Sequence, residues 1–347
     1  PKNVDYLYDR AEYYYDRWSN EASDSTSGPL ALKDYEFIIE LNTDEKKSAL
    51  AINESANIYW DEEKWDLCLE LYSKSIELNP RPYTYSNRGW IHAKKEDYVR
   101  AIADMAEAIE LAEENLYKES RIAEYYSYRA GFYEDLGDDI NALKDYDEAI
   151  KLAPKNVDYL YDRARYYYDR RKSDTTFAPL ALKDYEFIIE LNTDDKITAL
   201  SINESANIYW GEEKWDLCIE LYSKSIELNP RSFIYANRGR IHAEKEDYLR
   251  AIADMTQAIE LAEENLYKKS AIARYYSYRA GFYEVLGDHI NALKDYDEAI
   301  ELALDPINFY LSRAKIYNKI GEKEKEKSDY LTAIDLNKED PEAYFYL

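Results

Sequence analysis

Two asparagines, a tyrosine and a tryptophan stand in the same octet, NESANIYW, at residues 53–60 and again at 203–210. An asparagine amide offers one donor edge and one acceptor edge, the pair that an extended peptide backbone requires. Tryptophan and tyrosine beside it supply wide amphipathic rings of the kind that anchor interfaces. The chemistry in prospect is recognition, and bond-making groups are hard to assemble. Of the three histidines, His92 and His242 fall at aromatic packing positions and His289 falls in a turn between helices. Cys68 and Cys218 take places where a helix packs small residues, so both read as buried thiols. The sequence holds no phosphate-cradling glycine loop, no zinc-ligand spacing and no calcium-loop motif. No enzyme activity, cofactor or metal is expected.

Composition limits the partner. The chain has 347 residues, 46% of them hydrophobic, so a sizeable core can form. Its 71 acidic and 45 basic side chains leave a net charge of −26, which repels nucleic-acid backbones and favours a basic or neutral protein or peptide. No run of eighteen apolar residues suggests a membrane span. Two cysteines make no disulfide framework and fit a reducing intracellular compartment. Pro1 in place of an initiator methionine reads as the start of an excised piece.

The elements that position the octet emerge from internal repetition. Residues 31–150 match 181–300 at about 100 of 120 positions, the mark of an internal duplication. Within each copy a shorter unit recurs. A small residue is followed three positions later by an aromatic or His, as in SANIY, RGWIH and RAGFY; a second amphipathic stretch such as CLELYSKSIELNP or ALKDYDEAIKLAP comes after it. Two short helices per unit, facing each other through small residues and often closed by Pro, resemble the tetratricopeptide repeat. Nine units are counted, with first-helix small residues at Ala11, Ala56, Gly89, Ala130, Ala164, Ala206, Gly239, Ala280 and Ala314. The expected fold is all-α, a right-handed superhelical solenoid of about nine tetratricopeptide-like helix-turn-helix repeats. It comprises two four-repeat blocks, 1–153 and 154–303, a terminal repeat at 304–340, and the start of a further helix at 341–347.

Details of spacing add expectations. Gly137, Gly287 and Gly321 mark permissive turns between paired helices, and Glu63, Glu96, Glu213 and Glu246 stand at the same place elsewhere. A polar, loop-like insertion falls at 19–28 and 171–178; a charged, helix-compatible one, ENLYKES or ENLYKKS, lengthens the helices beside it. Glu326 replaces the small residue of the last second helix, which is expected to pack loosely or to cap the array.

The resemblance implies a concave groove lined by first helices, and it places Tyr15, Asn53, Asn57, Trp60, Asn87, Trp90 and Tyr128 there. Tyr168, Asn203, Asn207, Trp210, Asn237, Arg240 and Tyr278 are their counterparts in the second block. Some family members grip a C-terminal carboxylate with paired asparagines and cations. Here Asn57 and Asn87 match the asparagines, but Asn53, Glu124 and Tyr128 replace the cations and only Arg274 restores one, so peptide-backbone bracketing is the expected use. The resulting expectation is a non-catalytic protein-interaction scaffold. The alternatives are a self-assembling scaffold, with homo-oligomers formed through the repeat ends, and an accessory region of a larger enzyme or secretion machine. Differences between the copies, among them Asp61/Gly211, Trp90/Arg240 and Glu124/Arg274, fall on groove positions and suggest divergence toward different partner segments.

Overall fold

The small residues spaced along the sequence are where helices meet. The structure is a computed structural model that describes residues 3–20 and 26–337. Its eighteen described helices form nine consecutive pairs and divide between two compact units, Pro1–Tyr159 and Leu160–Leu347. The first unit holds α1 (Val4–Asn20), α2 (Ser27–Leu41), α3 (Glu45–Asp61), α4 (Trp65–Leu78), α5 (Pro82–Lys94), α6 (Tyr98–Glu114), α7 (Glu119–Leu136) and α8 (Asp139–Leu152). Helix α9 (Val157–Arg170) begins three residues before the division. The second unit continues with α10 (Phe177–Leu191), α11 (Asp195–Gly211), α12 (Trp215–Leu228), α13 (Ser232–Glu244), α14 (Tyr248–Glu264), α15 (Lys269–Val285), α16 (His289–Leu302), α17 (Ile307–Ile320) and α18 (Lys323–Leu336). Within each unit a helix packs on its partner and on the next pair along, which makes an all-α repeat solenoid.

Steric fit sets each pair. Ala56, Ala130, Ala206 and Ala280 are fully buried, and so are Cys68, Ala142, Cys218 and Ala292 on the second helices. At Gly239 an added Cβ would lie 3.0 Å from the Asp254 Cβ, so even alanine is crowded there. Many second helices start on an aspartate cap: the Asp97, Asp138, Asp247 and Asp288 side chains each accept from a backbone N–H three residues on. Seven of the turns between paired helices pass through a left-handed residue, Gly137, Gly287 and Gly321 (φ 83°, 75°, 80°) or Glu63, Glu96, Glu213 and Glu246 (φ 55°, 61°, 57°, 60°).

The helix-compatible insertion makes α6 and α7 17 and 18 residues long, against 13 for α5. Between α9 and α10 the polar insertion is a loop over residues 171–176; its counterpart at 19–28 lies partly outside the described residues. The expected start of a further helix at 341–347 lies wholly outside them. Glu326 does not leave the ninth pair open. Leu311, Ala314, Tyr330, Ala333 and Ile334 form a buried cluster, and the Glu326 carboxylate accepts from Asn318 and Lys323, which hold it below the usual carboxylate range.

One recurrent device is ionic. In seven of the nine pairs, the arginine just before the small first-helix residue makes a two-pronged bond to an aspartate on the second helix. These are Arg10–Asp34, Arg88–Asp104, Arg129–Asp145, Arg163–Asp184, Arg238–Asp254, Arg279–Asp295 and Arg313–Asp329, at 2.6–2.9 Å. Several also reach the second helix of the preceding pair: Arg88 donates to Ser73 Oγ (3.1 Å), Arg238 to Ser223 Oγ (3.0 Å), Arg279 to Thr256 Oγ1 (2.9 Å) and Arg313 to Asp297 Oδ1 (2.5 Å). The two pairs that carry the octet, α3/α4 and α11/α12, have Ser55 and Ser205 at the arginine place. They are joined by hydroxyls and thiols: Ser75 Oγ donates to the Ala49 carbonyl (2.7 Å) and Cys68 Sγ to the Ala56 carbonyl (3.4 Å), repeated by Ser225 and Cys218. Burial pushes both thiols up to about 11, consistent with packing rather than reactivity.

Candidate partner-binding site

On α3, Asn57 follows the buried Ala56 and faces α5. Its Nδ2 donates to Glu54 Oε2 (2.9 Å), while its Oδ1 accepts from the Tyr72 hydroxyl (2.6 Å) and from Asn87 Nδ2 (3.2 Å). Asn53 Nδ2 donates to the other oxygen of Glu54 (3.1 Å). Burial raises the Glu54 carboxyl above its usual range and the like charge of Glu12 adds to this, although both amides pull the other way. The second block repeats the arrangement. Asn207 Nδ2 donates to Glu204 (3.1 Å), Asn207 Oδ1 accepts from Tyr222 (2.5 Å) and from Asn237 (3.4 Å), and Asn203 Nδ2 donates to Glu204 (3.1 Å).

This geometry corrects two sequence expectations. Asn53 and Asn203 are only 1% exposed and do not face a groove. They precede Ala56 and Ala206 by three residues, nearly one helical turn, and so share the packed face. Asn57 and Asn207 are half-buried with both amide edges engaged, so they cannot bracket a peptide backbone without breaking this network. Each orders its surroundings, and Asn87 and Asn237 are the amides one helix pair further along.

The other expected residues of the first block do come together. Tyr15, Asn57, Trp60, Asn87, Trp90 and Tyr128, contributed by α1, α3, α5 and α7, line one pocket of about 450 Å3. Trp90 meets Tyr128 edge-on with ring centres 5.1 Å apart, and packs the same way on Phe132 at 5.0 Å. Asp61 and Ser86 lie on the same wall, and Glu124 accepts from the Tyr128 hydroxyl (2.7 Å) and from Arg121 (2.5 Å). Tyr15 is pushed up to about 12, first by burial and then by the charges of Glu54 and Asp61, so it stays a neutral hydroxyl. Tyr72, Tyr83, Arg121 and Tyr125 complete the lining and were not expected from the sequence. Tyr83, Arg121 and Tyr125 stand one helical turn before Asn87, Glu124 and Tyr128, which was the available signal.

In the second block the equivalent rings are held by the chain's own cations. The Arg240 guanidinium lies 4.3 Å from the Trp210 ring and 5.5 Å from that of Tyr278, and Arg171 lies 3.5 Å from the Tyr168 ring. Tryptophans, Trp90 and Trp18, occupy the corresponding places in the first block. Of the twelve lining positions inside the duplicated stretch, six differ between copies, against 20 of 120 over the whole stretch. Divergence is concentrated on this pocket.

Helix pairs stacked through small residues, with side chains of the first helices gathered around a pocket, define a helical repeat protein of the solenoid class. Residues 82–115, 123–156, 234–265 and 307–340 each match the tetratricopeptide repeat, so these four stretches are tetratricopeptide repeats. It is 35% identical over 105 residues to serine/threonine-protein phosphatase 5 of Homo sapiens, covering 30% of this chain and 20% of that one. It is 25% identical over 316 residues to a TPR repeat-containing protein of Methanocaldococcus jannaschii, covering 84% of this chain and 51% of that one. The chain thus spans about a fifth of the phosphatase and about half of the archaeal protein. Among solved structures, the C-terminal part of a TPR repeat-containing protein from Cytophaga hutchinsonii superposes with a TM-score of 0.55 at 20% identity, covering 73% of this chain and 97% of that one. A tetratricopeptide repeat protein from Parabacteroides merdae does so with a TM-score of 0.50 at 18% identity, covering 76% and 96%. Both show the shared fold. Among the described residues no helix is long and apolar enough to cross a membrane.

Proposed function

We propose that the chain is a non-catalytic scaffold that holds a segment of another protein against the first helices of each four-repeat block. The observation that carries this reading is the pocket of about 450 Å3 in which half-buried tryptophan and tyrosine rings converge on one opening with an amide and carboxylates. Rings of this kind, held rigid by neighbours and rimmed with polar groups, have the make-up of interface anchors. The net charge of −26 steers basic and neutral segments toward the protein in preference to acidic ones. Affinity capture from native lysate, with Trp60→Ala, Asn87→Ala and Trp90→Ala compared with the unaltered chain, tests the assignment. Loss of the same captured proteins in the Trp60 and Trp90 variants is the expected result. Full retention by all three rejects the site.

A further inference from the structure

We propose that the first-block pocket is a receptor for an arginine side chain on an extended basic segment of the partner, seated between Trp60, Trp90 and Tyr128. The inference rests on the scaffold reading and names the chemistry that the pocket selects. Its main support is internal to the chain. In the second block the Trp90 position is Arg240, and that guanidinium sits on Trp210 and Tyr278, the counterparts of Trp60 and Tyr128. The same two rings, built from the same repeat, therefore hold a guanidinium when the chain supplies one. In the first block Trp90 stands at that place and supplies a third ring where the second block has a guanidinium, and Trp60, Trp90 and Tyr128 together line the open pocket of about 450 Å3.

The charges follow the same division. Asp61, exposed on the rim beside Trp60, becomes Gly211 in the block that has its own cation. Glu124, which lines the first pocket and is bonded to Arg121 and Tyr128, becomes Arg274, and Arg121 becomes Ala271. The first pocket thus carries two carboxylates against one guanidinium, while the equivalent second-block positions carry two guanidinium groups and no carboxylate. An incoming cation is attracted to the first and repelled by the second. Trading a ring for an arginine and losing the rim acid together make one block self-occupied and leave the other receptive.

The test is calorimetric titration of the full chain with end-capped heptapeptides that differ only at the central residue, which is arginine, citrulline or glutamate. Citrulline keeps the shape and removes the charge. Saturable binding of one arginine peptide per chain is expected, at least tenfold tighter than the citrulline or glutamate version. Asp61→Gly and Trp90→Arg, each borrowed from the second copy, are expected to weaken it at least fivefold. Circular dichroism checks that Trp90→Arg folds, and Asp61→Gly together with the citrulline comparison decides the matter if it does not. In the other direction, Gly211→Asp combined with Arg240→Trp is expected to raise the stoichiometry toward two. Equal affinity for arginine and citrulline, unchanged affinity in both first-block variants, or no saturable binding of the arginine peptide overturns the inference. The lysate capture separates these outcomes from failure of the scaffold reading: partners lost in Trp60→Ala despite a negative peptide result mean that the segment is held by other chemistry.

Discussion

Both edges of the Asn57 amide are engaged inside the protein, and the carboxylate it helps to bind is half-buried. The raised pKa of Glu54 means that the folded chain holds this proton more tightly than the unfolded chain does. Stability therefore falls as pH rises from the ordinary carboxylate value, about 4.3, through the folded one. Glu54→Gln is expected to remove that slope, so the variant should gain in thermal midpoint over the unaltered chain between about pH 4 and pH 7. A difference that stays constant across this range rejects the assignment. The Arg129–Asp145 pair is a second residue-scale case, its side chains 17% and 3% exposed. Arg129→Met leaves a buried aspartate without its cation and is expected to cost about 3 kcal/mol in urea unfolding. Adding Asp145→Leu should recover most of this, and a double variant no more stable than the single contradicts the expectation. Trp60, Asn87 and Trp90 were legible in the sequence because the repeat fixes which helical positions face outward. The roles of Asn53 and Asn57 were not, because hydrogen-bond partners from α4 and α5 decide whether an amide is available.

At the scale of the helix pair, steric registers were the most legible feature. A close approach of two helices tolerates only small side chains, so Ala130 and Ala142, both fully buried, announce themselves by size. Ala130→Leu is expected to cost about 1–3 kcal/mol through overpacking, measured by thermal unfolding; a neutral effect would show that the pair can spread. The turns were half legible. Glycine at residues 137, 287 and 321 signals a left-handed backbone, but the glutamates at 63, 96, 213 and 246 adopt it too. A side chain there carries roughly 1–2 kcal/mol of strain, partly offset because glycine loosens the unfolded chain. Glu246→Gly is accordingly expected to stabilise by about 0.5–1 kcal/mol, and a loss of stability indicates that the Glu246 side chain makes a compensating contact. The arginine–aspartate pairs do not show in the apolar periodicity that reveals the repeat, although five of the seven share a spacing of sixteen residues.

For the molecule as a whole, a net charge of −26 sets acidic surfaces against one another in both units. Raising salt from about 0.01 M to about 0.1 M shortens the screening length from about 30 Å to about 10 Å. The thermal midpoint is expected to rise by a few degrees, and a fall would mean that the ion pairs outweigh the repulsion. The duplication was plain in the sequence, but the self-occupied second block was not, since only the structure puts Arg240 on Trp210. The arginines that reach backward have a bearing on how such a chain lengthens. Arg88, Arg238, Arg279 and Arg313 each fasten their own pair to the pair before it, through a donor that travels with the newer unit and an acceptor already in place. A stretch of repeats copied whole arrives with its own fasteners, so growth by duplication requires no new adhesive surface. Trimming from the C-terminal side strands mostly hydroxyl acceptors that water can satisfy, whereas trimming from the N-terminal side strands charged donors. Inheritance of additional repeats is thus built in with a direction.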